Sequence, residues 1–427
     1  MIRILDTEDV AIEDILKRES TSFDEADKIA ADVIANVTAN GDKALFEYCE
    51  RFDKVTLTSL EVTADEIEEV YAKVDAELLE TMKKAAENIR AFHEKQVRNG
   101  FAITENDGIV LGQKITPIEK AGLYVPGGTA SYPSTVLMNA IPAKIAGVSE
   151  IVITTPPQKD GKIAAPILAA AKIAGVDRIF KVGGAQAIAA LAYGTETVPK
   201  VDKIVGPGNV FVAAAKRRVY GIVNIDMIAG PSEILVIADG KCDPAVVAAD
   251  LLSQAEHDKN ASSVLITNSR TLAVKVMNEL ERQIPLLPRN EICRSSIDNN
   301  GKIIIVNDLK EAVAISNMIA PEHLEVCVEE PFALLSEIKN AGSIFLGRNC
   351  PEALGDYFAG PNHTLPTNGT ARFSSPLSVD DFIKKSSFIY YTKEALSKVS
   401  DGIQKFAESE GLSAHARSVA QRFEKKD

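Results

Sequence analysis

Four short polar islands carry the residue types that could do chemistry in this chain. Glu322 stands directly beside His323 in the run Ala320-Pro321-Glu322-His323-Leu324-Glu325. Gln254 lies one helical turn before His257, Asp356 sits a few residues ahead of His363, and Glu410 precedes His415. The chain holds only five histidines, and of these only His93 falls in an ordinary amphipathic segment, where it shares an apolar stripe with Ile89 and Phe92. Imidazole titrates near neutrality and is the commonest metal ligand. Its confinement to islands rich in Glu, Gln, Asp and Asn points to one site assembled from distant segments. Residues at i and i+3 share a helix face, so Gln254 and His257 point the same way, as half of a metal site would. A catalytic zinc takes three or so N, O or S ligands and keeps a position for substrate. Cys49, Cys242, Cys293, Cys327 and Cys350 are scattered without a CxxC, so nitrogen and oxygen would have to serve. A plainer reading stays open for each pair: Glu-His can cap a helix, and a helix C-terminal His can simply meet the dipole.

A second class of candidate is the glycine-rich turn. Pro126-Gly127-Gly128, Val182-Gly183-Gly184-Ala185-Gln186 and Gly206-Pro207-Gly208-Asn209 each follow a strand-like run and precede a helix-like one. That is where α/β proteins bind phosphates and nucleotides. None is a GxGxxG, since Phe211 stands where the third glycine would fall. The spacing therefore suits a nucleotide bound in a non-standard way and an ordinary turn equally well.

The elements that must position these residues follow from periodicity. Residues 1–95 read as helices: 22–38 carries Ile29, Val33, Ile34 and Val37 on one stripe and stops at Asn40-Gly41, and a second helix starts at Asp42. Thr63-Ala64-Asp65-Glu66 is a capping-box pattern opening a charged helical region to about His93. From about Ile115 short β-rich runs alternate with helices of ten to fifteen residues or so, first to about residue 220 and again over 233–346. Parallel strands need crossover helices, so the alternation predicts doubly wound α/β architecture in two similar blocks. Asp243-Pro244 is an N-cap with proline at N1 for the helix that ends at Gln254 and His257. Residues 347–380 lose periodicity yet contain Asp356 and His363, which favours a functional loop.

Bulk composition bounds the partners. A chain of 427 residues with 46% hydrophobic and 25% charged residues is globular and long enough for two or three domains. A net charge of −13 argues against nucleic acid or an anionic membrane surface as partner. The uncharged run 121–143 contains three prolines and three glycines, which is incompatible with a continuous membrane-spanning helix. The acidic start after Met1 reads as no signal peptide, and the scattered thiols as a reducing, cytoplasmic setting.

In this order, the motifs 122–128 (GLYVPGG), 182–190 (VGGAQAIAA), 203–209 (KIVGPGN) and 226–233 (DMIAGPSE) resemble those of histidinol dehydrogenases. So do 250–257 (DLLSQAEH), 320–325 (APEHLE), Gly355-Asp356 with Asn362-His363, and 410–415. The resemblance spans the chain from about residue 20. It implies a zinc enzyme that oxidises L-histidinol to L-histidine through histidinal, consuming two NAD+. It makes Gln254, His257, Asp356 and His415 the zinc ligands, and Glu322 with His323 the acid/base pair. Ser232, Gln254, His257, His323, Asp356, Glu410 and His415 match substrate-contacting positions, with His363 nearby, while Tyr124, Gln186 and Asn209 match NAD-contacting ones. It further implies two incomplete Rossmann-like domains in an aldehyde-dehydrogenase-like architecture. The expected division is an N-terminal helical extension (1–20), a zinc and catalytic domain (21–123 plus 233–376), an NAD-binding domain (124–232) and a small C-terminal domain (377–427). An intertwined homodimer would share its active sites, with the C-terminal domain exchanged.

The chemistry suits these residues: a neutral His323 can take a hydroxyl proton near pH 7, and Glu322 can activate the water that hydrates an aldehyde. Two rival classes differ in what they need. A zinc hydrolase would need Glu322 but no nucleotide, and a nucleotide-binding protein without activity would lose nothing on chelation.

Overall fold

Strands that are apolar along their whole length must be covered on both faces, and that requirement organises the chain. The computed structural model describes residues 1–11, 24–104, 107–127 and 131–424. Its strands begin with β1 (Arg3–Asp6), β2 (Phe101–Ile103), β3 (Ile109–Pro117), β4 (Lys120–Tyr124), β5 (Glu150–Thr155), β6 (Arg178–Lys181) and β7 (Lys203–Val205). They continue with β8 (Asn224–Ile225), β9 (Glu233–Ala238), β10 (Ser262–Thr267), β11 (Lys302–Ile305), β12 (His323–Cys327), β13 (Ser343–Leu346) and β14 (Ile383–Tyr391).

Two parallel sheets result. One has the order β6-β5-β4-β7-β8, the other β1-β11-β10-β9-β12-β13. With β1 set aside, both run 3-2-1-4-5 in their own chain order, so the doubly wound expectation holds twice over. In such a sheet the chain reverses direction between its first and fourth strands, and crevices open there. Those points lie between β4 and β7 and between β9 and β12.

The N-terminal region departs from its expectation in detail. Residues 3–6, read as part of a helical extension, form β1 and pair in parallel with β11, and Ile2 is buried beside them. Four residues are too few for periodicity to separate strand from helix; the open edge of β11 decides it. The helix expected from residue 22 is described from Asp24, and the expected stop is kept: Gly41 (φ 53°, ψ −134°) is non-helical and divides Asp24–Tyr48 into two helices across a kink. Thr63 caps the helix Ala64–Tyr71 by accepting from the Glu66 N–H at 3.2 Å. The charged region does not run unbroken to His93, because Asp75 caps a second helix, Ala76–His93, through the Leu78 N–H at 2.9 Å. His93 is buried as expected, with Nδ1 2.7 Å from Gln96 Oε1. The helix Asn290–Asn300 has no counterpart in the sequence reading; its polar run hides the short face made by Cys293, Ser296 and Ile297.

The chain divides into two compact units, residues 1–96 with 118–382, and residues 97–117 with 383–427. The second contains the antiparallel sheet β14-β3-β2 and the helices Lys393–Ser409 and Ser413–Ala420. Its described residues bury only Ala395, Ser400 and Ala416, while Ile389 and Phe406 stand open. So small a unit has little core of its own. Among the described residues no helix is long and apolar enough to cross a membrane.

Candidate active site

The Glu322-His323 pair is delivered by a forced turn. The helix Leu309–Ile319 ends at Ala320, whose φ of 51° lies in the left-handed region although it is not glycine. A β-carbon there costs about 1–2 kcal/mol, so the surrounding fold must hold it. Three residues later β12 begins at His323, parallel between β9 and β13, and the Glu322 and His323 side chains are sunk to 8% and 3% exposure.

His323 is oriented by the strand beside it. Its Nδ1 lies 3.1 Å from the Glu233 carbonyl, so Nδ1–H donates there and Nε2 faces away from the strand. Nε2 approaches Asp356 Oδ1 at 3.4 Å without another partner among the described residues. Glu322 accepts from the Glu233 N–H at 2.9 Å and lies 3.7 Å from the ring. One backbone residue at the start of β9 thus sets both members of the pair.

The helix Pro244–Ala255 brings Gln254. Asp243 caps it through the Ala245 N–H at 2.9 Å, with proline at the first position, as expected. Gln254 is buried, its Nε2 donates to Glu352 and sits 3.2 Å from His323 Nδ1, and its Oε1 has no partner among the described residues. Both facing nitrogens carry hydrogen, so they do not bond to each other. A buried carbonyl oxygen without a donor is costly, and a cation would satisfy it. His323, Glu352 and Asp356 each place a ligand atom within 4.8 Å of the others. Nitrogen and oxygen donors of this kind, with that orphaned oxygen, fit a divalent metal.

The remaining expected residues are placed as follows. His257 lies just beyond the same helix and is exposed, within electrostatic reach of Asp356 and His323. Desolvation by the surrounding protein nevertheless depresses its pKa, with His323 adding to the effect against the pull of Asp356. His363 is half-buried, with Nδ1 3.0 Å from the Asp356 carbonyl and Nε2 3.4 Å from Thr135 Oγ1. Its loop is stitched to the helix Pro133–Ala146, where Asn362 Nδ2 donates to the Met138 carbonyl and Thr364 Oγ1 to Asn139 Oδ1. Ser232 immediately precedes β9. Glu410 and His415 belong to the second unit, where both are exposed.

Charge is concentrated here. Burial alone would strip the proton from His323, but Glu322, Asp356 and Glu352 outweigh it and push the pKa up to about 10. Burial raises Glu322 to about 8, against the pull of His323 and the Glu233 N–H. Each of these two would lower or raise the other as an ion pair; the protonated ring is the firmer of the two, because three carboxylates face it. The carboxylates around His323 thus favour the protonated ring over the neutral one that a base near pH 7 requires. Burial is likewise opposed at Asp356, where His323, His363 and His257 hold the carboxyl below its usual range.

Sequence reasoning missed Glu352. It is buried, accepts from Gln254 and from Ser253 Oγ at 2.7 Å, and its own N–H donates to Glu325 Oε1 at 2.7 Å. The signal was available: Glu352 and Asp356 are four residues apart, one helical turn, and the helical turns Glu352–Leu354 and Gly355–Ala359 put them on one face.

The nucleotide candidates gather at the other sheet. Tyr124 closes β4, is buried, and its hydroxyl accepts the Gly184 N–H at 3.1 Å. Gln186 is buried in the first turn of the helix Gly184–Tyr193. Asn209 caps the helix Val210–Val219, accepting from the Phe211 and Val212 N–H groups at 3.1 Å each. The turn at Pro126-Gly127-Gly128 is described only to Gly127.

Comparison with known proteins agrees with this geometry. The family model described as histidinol dehydrogenase matches residues 16–423. The chain is 57% identical to a histidinol dehydrogenase of Clostridium acetobutylicum over 92% of this chain and 91% of that one. It is 58% identical to that of Geobacillus kaustophilus over 94% and 95%. The crystal structure of histidinol dehydrogenase from Elizabethkingia anophelis superposes with a TM-score of 0.93 at 40% identity, covering 99% of this chain and 98% of that one. With near-complete coverage in sequence and in structure, the chain belongs to the histidinol dehydrogenases, oxidoreductases of histidine biosynthesis.

Proposed function

We propose that the protein oxidises L-histidinol to L-histidine through L-histidinal, using one zinc ion per chain and two NAD+, in the cytoplasm. The observation that carries this reading is the buried Gln254 Oε1, left without a donor beside the His323–Asp356 pair. Gln254, His257 and Asp356, with His415, would hold zinc, which when bound supplies a Lewis acid that anchors the amine and imidazole nitrogens of the substrate. NAD+ supplies the hydride acceptor, near Tyr124, Gln186 and Asn209.

The chain's own residues then divide the proton work. His323 Nε2 points away from β9 and takes the hydroxyl proton as the alcohol carbon is oxidised. Glu322, whose carboxylate burial makes more basic, accepts a proton from the water that adds to the aldehyde, before the second hydride leaves for the second NAD+. Substrate contacts fall to Ser232, Gln254, His257, His323, Asp356, Glu410 and His415, with His363 nearby.

Supporting a homodimer with shared sites, Glu410 and His415 ride on a small unit with exposed apolar side chains and little core. Exchange of such a unit between protomers is a low-cost route to a dimer. NADH formation from histidinol, lost on chelation and restored by zinc, is the expected result; turnover that survives a verified loss of metal would refute the zinc reading. His415→Ala and His323→Ala chains should each be inactive alone but recover activity when reassociated as heterodimers. No recovery in proven heterodimers would mean that His415 serves its own chain.

A further inference from the structure

A lysine and an aspartate are buried together beneath the Gly206-Pro207-Gly208-Asn209 turn. Lys216, in the helix Val210–Val219, and Asp226, just after β8, pair with both side chains at 2% exposure. Removing two charges from water is expensive, and an apolar pair of similar volume would usually do as well for stability. What an apolar pair could not do is visible in the hydrogen bonds. Lys216 Nζ donates to the Gly206 carbonyl at 3.0 Å, and Asp226 Oδ2 accepts from the Gly206 N–H at 2.7 Å. Asp226 Oδ1 takes Lys216 and, at 2.6 Å, the Met227 N–H.

Both polar backbone groups of Gly206 are thereby claimed from one side. The residue has a φ of 112°, which only glycine adopts without strain, and a β-carbon there would collide with the Tyr124 carbonyl. The turn is therefore pinned at its start by the ion pair and at its end by the Asn209 cap. Between the two pins, Pro207 and Gly208 are partly open, and Asn209 is exposed. Tyr124 and Asn209, both nucleotide candidates, are held in relation to each other through Gly206.

We infer that Lys216 and Asp226 are positioning residues for the dinucleotide, setting the Gly206–Asn209 turn against Tyr124 without touching the cofactor. The inference rests on the NAD+ reading above. The pair is neutral as a whole and lies below the turn, so its removal should loosen cofactor binding rather than alter the chemistry.

The test uses the zinc-loaded full-length enzyme, with Lys216→Met and Asp226→Asn. Asp226→Asn keeps the volume and one acceptor, so it carries the test if Lys216→Met does not fold. Asp381→Asn is the control: it breaks another lysine pair in the same half, to Lys203 in β7, with no bond to the turn. The expected result is a rise of about tenfold or more in KM for NAD+, since a misplacement of about 1 Å can cost about a hundredfold. KM for histidinol, zinc content and kcat at saturating NAD+ should stay within about twofold, and the control should lose stability without the KM shift. A folded Asp226→Asn with unchanged KM for NAD+, or a parallel rise in both KM values, overturns the inference alone. A wild-type enzyme that makes no NADH from histidinol overturns the NAD+ reading, and the inference with it.

Discussion

In the five-stranded sheet the candidate cofactor residues lie where strands end: Tyr124 closes β4, Gln186 follows β6 and Asn209 follows β7. In the six-stranded sheet the acid/base and metal candidates lie where strands begin, with Ser232 before β9 and Glu322-His323 opening β12. With β1 set aside the two sheets share one strand order, and the candidate residues lie at opposite ends of their strands. Helix dipoles explain the division. At the strand ends of the first sheet the following helices present their N-termini, which favour anions such as phosphate. At the strand starts of the second sheet the helices Pro244–Ala255 and Leu309–Ile319 present their C-termini, which favour cations and a protonated imidazole. The opposite edge of that second sheet is already occupied. Asp239, after β9, takes Arg348 at 2.6 and 2.7 Å and the Lys241 and Glu329 N–H groups, and Cys242 Sγ donates to the Cys327 carbonyl at 2.8 Å.

Variants on the two edges should separate cleanly. His323→Asn has the largest expected effect, a loss of about 10²–10⁴ in kcat for both half-reactions with KM for NAD+ unchanged. Glu322→Gln should slow histidinal oxidation more than histidinol oxidation; equal slowing of both would refute the division of labour. His257→Ala should give a folded protein stripped of zinc, and a normal metal content measured by atomic emission would remove His257 from the ligand set. Glu352→Gln should weaken metal affinity about 10–100-fold, as expected when a group that orients a ligand is altered, with cofactor affinity untouched. On the other edge, Asn209→Ala should raise KM for NAD+ several-fold and cost about 1 kcal/mol in denaturant unfolding, leaving zinc content normal. If it lowered zinc content instead, the two edges would not be independent.

The smallest effect concerns the carboxyls behind the acidic edge. Burial, with Asp250 alongside, pushes Glu325 up to about 9. Its folded pKa exceeds the unfolded value of about 4.3, so its contribution to stability is complete below that value and is lost as pH rises toward 9. Glu325→Gln keeps an acceptor for the Glu352 N–H and cannot ionise. Its Tm should therefore gain on the wild type between about pH 6 and 9, and parallel Tm curves would contradict the buried neutral carboxyl.

Much of the architecture was legible because it rests on local rules. Thr63, Asp243 and Asn40-Gly41 mark helix ends by hydrogen bonding and backbone freedom that a few neighbouring residues determine. The alternation of apolar strands with helices from about Ile115 determined a doubly wound design, and the order of motifs determined the family. Less was legible where partners are distant. β1 looks helical until β11 offers it an edge, and β2 and β3 had no strand reading at all before β14, some 270 residues on, supplied a partner.

The site divides in the same way. The residue types at Gln254, His257, Glu322, His323, Asp356, His363, Glu410 and His415 could be read from the chain, since chemistry depends on side-chain identity. Tertiary structure alone decided that Glu233 orients the Glu322-His323 pair, that Glu352 turns the Gln254 amide, and that Lys216 and Asp226 meet beneath Gly206. It also decided which way the His323 pKa is pushed, because a pKa depends on which groups share a buried volume, and here Glu322, Glu352 and Asp356 converge on it from separate elements. Sequence carries identity and local periodicity; proximity across the fold, and the electrostatics that follow from it, exist only once the sheets have formed.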